Sequence, residues 1–215
     1  MNDAPLARLG SIAEQRWGLF TTAQARGAGV ARKQLTRMAA AGAIERIAHG
    51  VYRMAGAPPR EHETIYATWL ALGGATSPRT GSGVAPLVAA GTTAAIVHDI
   101  GDFLLDGLDY IVPARKGTRL PDVRLRIRHL VPEDVFPVDG LPTLTVERTI
   151  ADLVDLGTDM SLVAGSVRDA VQAAKVLSVD RLIGHLDATG RRAGREVAAD
   201  LFELAGVHPE GWHRD

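Results

Sequence analysis

The stretch TTAQARGAGVARKQLTRMAAAGAIERIAHGVYR, residues 21–53, decides the fold. Thr21 or Thr22 is placed to cap a short helix running to about Arg26. Gly27-Ala28-Gly29-Val30 reads as a tight turn. A helix from about Ala31 to Ala41 puts Leu35 and Met38 on one face, with Arg32, Lys33, Gln34, Thr36 and Arg37 available to the other. Gly42 then closes it as a C′ glycine. Two β-prone runs, Ala43–Ile47 and Val51–Arg53, flank Gly50 and read as a hairpin. Upstream, Leu6, Leu9, Ile12, Ala13 and Trp17 recur at helical spacing until Gly18, and Leu19-Phe20 is a short apolar step. Pro58-Pro59-Arg60 is the first linker. Helix, helix, turn, helix and hairpin in some fifty residues make a winged helix-turn-helix, assigned to residues 1–57.

Such a module places its second helix-turn-helix element in the major groove, with the N-terminal side chains of that helix at base edges. Arg forks onto guanine and Gln onto adenine. Arg32, Gln34 and Arg37 are therefore the expected base readers, and Lys33 and Thr36 the expected backbone contacts, with Thr22 beside them. Arg46, His49 and Arg53 on the hairpin are expected to follow a phosphate ridge or minor groove. Charge agrees with this reading. Residues 1–60 hold nine Lys/Arg against three Asp/Glu, whereas residues 61–215 hold fifteen against twenty-two. A split of that kind points to modules with different partners. The alternative is a polar surface that binds protein.

The second module, residues 61–215, reads as mixed α/β with a small sheet and a helical C-terminal half, which makes the fold class α+β. Ile65, Tyr66, Trp69 and Leu70 mark a helix ending at Gly73-Gly74; helices are also expected over Ser82–Ala90 and Ala94–Ile100. Leu108–Val112, Val123–Arg128 and Leu141–Thr145 read as strands. Glu147–Leu156, Leu162–Val176, Val179–Ala188 and Gly194–Ala205 read as helices, and the tail from Gly206 is expected to fray. Val123–Arg128 alternates at period two and lines up Arg124, Arg126 and Arg128. Three like charges on one strand need acidic partners, water or phosphate. They are either paired within the module or form a second basic surface for nucleic acid.

Composition excludes several classes. Hydrophobic residues are 46% and charged residues 23%, enough for a core and ordinary for a globular chain. With no cysteine there is no disulfide scaffold, thiolate zinc finger or cysteine nucleophile, and a reducing, cytoplasmic setting is expected. No apolar run is long enough to span a membrane. Chemical motifs are lacking too. A metal-dependent nuclease would need an acid two residues before a lysine, but Ala31, Ala114 and Ala173 precede Lys33, Lys116 and Lys175. Gly81-Ser82 lacks the Asp-x-Asp that nucleotidyl transfer would require. Asp106/Asp109 and Asp152/Asp155 read as solvated surface pairs. His98-Asp99, with His62, is too sparse for a metal site. No catalytic residue, metal or cofactor is therefore expected. A nuclease guided by the winged helix is the alternative.

Trp17–Ala25, Gly29-Val30, Leu35, Arg37, Gly42, Ile44, Arg46 and Gly50–Arg53 resemble the N-terminal domain of AbiEi-type antitoxins of type IV toxin–antitoxin systems. His98–Asp102, Tyr110–Pro113, Gly140–Pro142 and Glu147–Leu153 are similar to the C-terminal region of that family. The resemblance implies a repressor that binds inverted repeats in its own promoter. It also implies an antitoxin that opposes a nucleotidyltransferase-like toxin, directly or indirectly.

Overall fold

The computed structural model describes residues 4–76, 79–173, 175, 177–209 and 212. The chain forms two compact units, Met1–Pro78 and Arg79–Asp215.

The first unit opens with α1 (Ala4–Ala13), whose Leu9 and Ala13 are buried. The helix stops there. Residues 14–18 turn, and Trp17 has a left-handed backbone (φ 56°) instead of continuing the helix. Gly18 follows at φ 76°, and a Cβ there would lie 2.4 Å from the Ala57 Cβ, so both conformation and space require glycine. The short apolar step is a strand, β1 (Leu19–Thr21). Next come α2 (Thr22–Gly27), α3 (Arg32–Ala40), β2 (Ile44–Ala48) and β3 (Val51–Met54). Thr21 caps α2 with a full capping box: Gln24 N–H donates to Thr21 Oγ1 at 3.1 Å, and Thr21 N–H donates to Gln24 Oε1 at 2.8 Å. The sheet order is β1-β3-β2, all antiparallel. Phe20, Ala25, Val30, Leu35 and Ile44 fill the core that these elements share with α1. Three helices, a turn and a hairpin sheet in this order make a winged helix-turn-helix.

A further helix, α4 (Glu63–Ala71), belongs to this unit and not to the second. Sequence reading placed the division at residues 58–60; it falls after Pro78. The prolines at 58 and 59 interrupt secondary structure, but contacts continue across them. Tyr66 stacks on Trp17 with centroids 4.3 Å apart, and the Arg60 guanidinium lies 5.5 Å from the Trp17 ring. Arg53 Nη1 donates to both carboxylate oxygens of Glu63, at 2.9 and 3.0 Å.

The second unit holds a five-stranded mixed sheet, ordered β6-β5-β4-β8-β7. Its strands are β4 (Val88–Ala89), β5 (Leu108–Val112), β6 (Val123–Ile127), β7 (Val135–Val138) and β8 (Leu141–Leu144). β5 and β6 run parallel, as do β4 and β8, while β4–β5 and β7–β8 are antiparallel. The helix expected over Ser82–Ala90 is a loop leading into β4: its small residues carry neither a helical stripe nor a cap. α5 (Gly91–Val97) begins three residues before the expected Ala94–Ile100 and ends before His98, whereas α6 (Val146–Asp155), α7 (Met160–Gln172), α8 (Val179–Asp187) and α9 (Gly194–Ala205) follow their apolar periodicity closely. Leu153, Val163, Val167, Leu182, Leu186, Leu201 and Phe202 form the main core of this unit. The expected end of α7, Val176, lies outside the described residues. Part of the tail is held: Trp212 packs edge-on against Phe202 at 4.8 Å, and Gly206 ends α9 at φ 66°. The rest of the tail expected to fray, residues 210, 211 and 213–215, lies outside the described residues.

His98, which the sequence leaves too sparsely accompanied for a metal site, is a core residue. Its Nε2–H donates to the Leu144 carbonyl at 2.6 Å, and its own carbonyl accepts from the Lys175 ammonium. Burial holds the ring below the ordinary histidine pKa, against the opposing pull of that hydrogen bond. His185, also partly buried, is lowered for the same reason.

Two outcomes follow. Residues 1–78 should unfold cooperatively alone, and residues 1–57 should be measurably less stable in urea because the Trp17–Tyr66 stack and the Glu63 ion pair are missing. Both histidine pKa values lie below the unfolded value of 6.5, so the unfolded chain takes up protons first. The histidine contribution to stability should be fully present above about pH 6.5 and be lost as the pH falls below it. His98→Asn should flatten that slope in pH-dependent urea denaturation; an unchanged slope would remove His98 as its source.

Candidate nucleic-acid interface

Helix α3 presents its polar face to solvent. Arg32, Lys33, Thr36 and Arg37 are exposed, while Leu35 is fully buried beneath them. Local bonds already restrict two of the expected readers. Gln34 occupies the N3 position, and its Oε1 accepts from Ala31 N–H at 2.8 Å. Ala31, at the N-cap, has no side chain to return the bond. A bidentate adenine contact needs both the oxygen and the amino group of Gln34, so the cap competes with readout. Thr36 Oγ1 donates back to the Arg32 carbonyl at 3.2 Å. Arg32, Lys33 and Arg37 make up the cationic face that remains.

The hairpin of β2 and β3 is a wing with a fixed tip. The register slips between Arg46 and Ala48, a bulge that sharpens the turn at His49-Gly50. Gly50 sits at φ 72°, which glycine tolerates. Its carbonyl accepts from Thr22 N–H at 2.8 Å and from Thr22 Oγ1 at 3.3 Å. Thr22, half-buried, thus ties the wing turn to the start of α2. Arg46 and His49 are exposed at the tip, with Arg46 Nη2 3.5 Å from His49 Nδ1.

Arg53 does not join them. Its side chain is 12% exposed and lies between Glu45, whose Oε2 accepts from Nη2 at 2.5 Å, and Glu63. The expected DNA contact is a strut joining β2, β3 and α4. The sequence signal was present, since Glu45 directly faces Arg53 in the β2–β3 register, but Glu63 enters only through folding.

The arginines of β6 take the first of their two alternatives, pairing within the module. Arg124 forks onto Asp109, Nε to Oδ1 at 3.0 Å and Nη2 to Oδ2 at 2.9 Å. Arg126 forks onto Asp152, Nη1 to Oδ1 at 2.8 Å and Nη2 to Oδ2 at 2.5 Å. Arg128 reaches Asp155 more loosely, at 3.4 Å. The aspartates expected to be surface pairs are the partners: Asp109 and Asp152 are 4% and 3% exposed. Both sit at the start of α5, where Gly91 N–H donates to Asp152 Oδ2 at 2.8 Å and Thr92 Oγ1 to Asp109 Oδ2 at 3.3 Å. Paired carboxylates hold the Arg124 and Arg126 guanidinium pKa values above the usual arginine range, in spite of burial. Of the three arginines, Arg128 is held least firmly. Sequence reading missed Arg115, Lys116 and Arg119, exposed on the connection between β5 and β6. Their clustering with a single acid, Asp122, was visible in the sequence.

Residues 8–55, from within α1 to just past β3, match the family model described as "Transcriptional regulator, AbiEi antitoxin". The winged helix therefore matches the family that its residues resemble. No curated protein matches the sequence. Among solved structures, the chain is similar to the RV2827C protein from Mycobacterium tuberculosis, with a TM-score of 0.55 and 18% identity. The similarity covers 94% of this chain and 77% of that one, and at this identity it concerns the fold alone. Among the described residues, no helix is long and apolar enough to cross a membrane.

The ion pairs give a direct stability test. Asp152→Ala should cost about 3–5 kcal/mol, because it leaves Arg126 buried without its carboxylate. The double change Asp152→Leu with Arg126→Met should recover most of that. It should still lack about 1–3 kcal/mol for the Gly91 N–H that loses its acceptor. Chemical denaturation of the parent and the two variants reads the difference; an Asp152→Ala protein as stable as the parent would make this pair superficial.

Proposed function

We propose that the chain is a DNA-binding transcriptional regulator of the AbiEi antitoxin type, which represses its own promoter and opposes a nucleotidyltransferase-like toxin. The observation that carries the DNA reading is the uncommitted cationic face of α3 together with the wing tip. Arg32, Lys33 and Arg37 have no acidic partner among the described residues, whereas Arg53 does. Arg32 and Arg37 are the base readers in this reading. Lys33, Thr36, Arg46 and His49 meet the backbone, and Gln34 holds the first turn of α3. The family match over residues 8–55 supports the same assignment. No catalytic step is proposed for either unit.

The second unit carries fifteen Lys/Arg against twenty Asp/Glu, against nine and five in the first. Its net negative charge opposes duplex binding over most of its surface. Repression is therefore assigned to the winged helix, and neutralisation of the toxin to the second unit. The nuclease alternative gains no support, because the acids Asp109 and Asp152 are occupied by arginines.

The test is promoter binding at defined salt. Arg32→Ala or Arg37→Ala should cost about 1–3 kcal/mol, concentrated on particular operator bases. Gln34→Glu should keep the cap on the Ala31 N–H and the folding stability of the parent, while its added charge weakens binding to all sequences alike. Gln34→Ala should lose about 1 kcal/mol of folding stability with no change in base preference. An altered base preference in Gln34→Ala would return this residue to the readers. Undiminished binding by the Arg32/Arg37 double variant would remove α3 as the reading element.

A further inference from the structure

From Arg115 to Arg128 the sequence places six of the second unit's fifteen Lys/Arg and one acid, Asp122. Folding sorts these cations into two sets. Arg124, Arg126 and Arg128 are drawn onto Asp109, Asp152 and Asp155. Arg115, Lys116 and Arg119 remain exposed on the β5–β6 connection, with no carboxylate paired to them among the described residues. Three neighbouring cations in an otherwise acidic unit concentrate positive potential at one place.

The chain enters that stretch from Pro113, which lines a cavity of about 420 Å³ at the carboxyl ends of the parallel strands β5 and β6. Ligands of open α/β sheets collect outside the carboxyl ends of the strands. The volume lies within the range of small-ligand sites, about 300–1,000 Å³. Apolar groups of Val84, Ile111, Ile127 and Leu130 line it, together with the polar groups of Ser82, Arg128 and His129, and no carboxylate among the described residues does. Ile127 is 52% exposed, an apolar surface left uncovered at the mouth. The loop that closes the other side is held in shape. Thr80 N–H and Oγ1 bond to the Val84 carbonyl, and Arg79 Nη1 donates to the Gly83 carbonyl at 2.7 Å. Nothing lies within 4 Å of a Cβ built on Gly81, so a ligand can approach its backbone. Pro113 also lines the cavity, and Arg115 and Lys116 follow two and three residues later. At about 3.3–3.6 Å per residue their long side chains lie within reach of the mouth.

An apolar slot without acids, beside a basic loop, suits a flat base joined to a phosphate. We propose that this cavity is a nucleotide-binding site. The base rests on Val84, Ile111, Ile127 and Leu130, and the phosphate meets Arg128, His129 and the Arg115–Arg119 cations. The site is independent of the DNA-reading face of α3. A free nucleotide and the terminal nucleotide of a single strand share this chemistry.

The experiment is titration of the ¹⁵N-labelled full chain, followed by NMR, with AMP, adenosine, inorganic phosphate and the single-stranded tetramer ApApApA. AMP should shift the amides of Ser82, Ile127, His129 and Leu130, with adenosine and phosphate each at least tenfold weaker. Arg115→Ala/Lys116→Ala/Arg119→Ala, on an exposed loop, should weaken AMP at least fivefold with a dispersed spectrum, while Arg32→Ala should leave it unchanged. Ala85→Phe, which fills the slot, should abolish the base-dependent gain. Tighter binding of the tetramer than of AMP, lost in the triple variant, assigns the site to a strand end; equal or weaker binding assigns it to the free nucleotide. The proposal falls if AMP shifts none of these amides, if the triple variant binds as the parent does, or if phosphate alone binds as tightly as AMP.

Discussion

The second unit depends on two carboxylates set under the edge of its sheet. Asp109 projects from β5 and Asp152 from α6, and both are nearly excluded from solvent. A buried carboxylate survives only with charge and hydrogen bonds to replace water. Arg124 and Arg126 supply the charge from β6, and the Gly91 N–H and Thr92 hydroxyl supply bonds from the first turn of α5. One set of contacts therefore fixes the edge strand, the approach of α5 and the position of α6. Gly91 is part of the same constraint: at φ 53°, a Cβ there would sit 3.3 Å from the Asp109 carboxylate.

The first unit uses the same device on a smaller scale. Arg53, between Glu45 and Glu63, joins the wing to α4, while Thr22 holds the wing turn through the Gly50 carbonyl. The wing tip and α3 are thus presented by a scaffold held together by these ion pairs and hydrogen bonds. The cations left uncommitted, Arg32, Lys33, Arg37 and Arg46, are those with freedom to meet an external anion. Sorting cations by whether the fold supplies them with a carboxylate is more informative than counting them. By that measure Arg53, Arg124 and Arg126 belong to the architecture, and the α3 face, the wing tip, the β5–β6 loop and the loosely held Arg128 belong to the surface chemistry.

The two units differ in the charge they present, with the first net positive and the second net negative. Long-range attraction to duplex DNA accordingly concentrates on the first. The match to AbiEi-type regulators falls within it, whereas the likeness to the mycobacterial structure concerns the fold and covers 94% of this chain.

Local patterns in the sequence determined much of the architecture. The cap at Thr21, the glycine at 42, the period of Leu35 and Met38 and the alternation of β6 are settled by neighbours within a few residues, and each appears where the pattern puts it. The exposed face of α3 was legible for the same reason. Tertiary structure alone decided which charges are spent. Arg124 and Asp109 are fifteen residues apart, Arg126 and Asp152 twenty-six, and no local period relates them. It also moved α4 into the first unit, because stacking of Trp17 on Tyr66 joins residues separated by two prolines. Gln34 shows the limit within a single helix. Its type suits base readout, but an alanine at the N-cap leaves Gln34 to supply the capping bond, and that role follows from backbone geometry. Residue type and spacing carry short-range order; the pairing of distant polar groups is set by where burial forces them to meet.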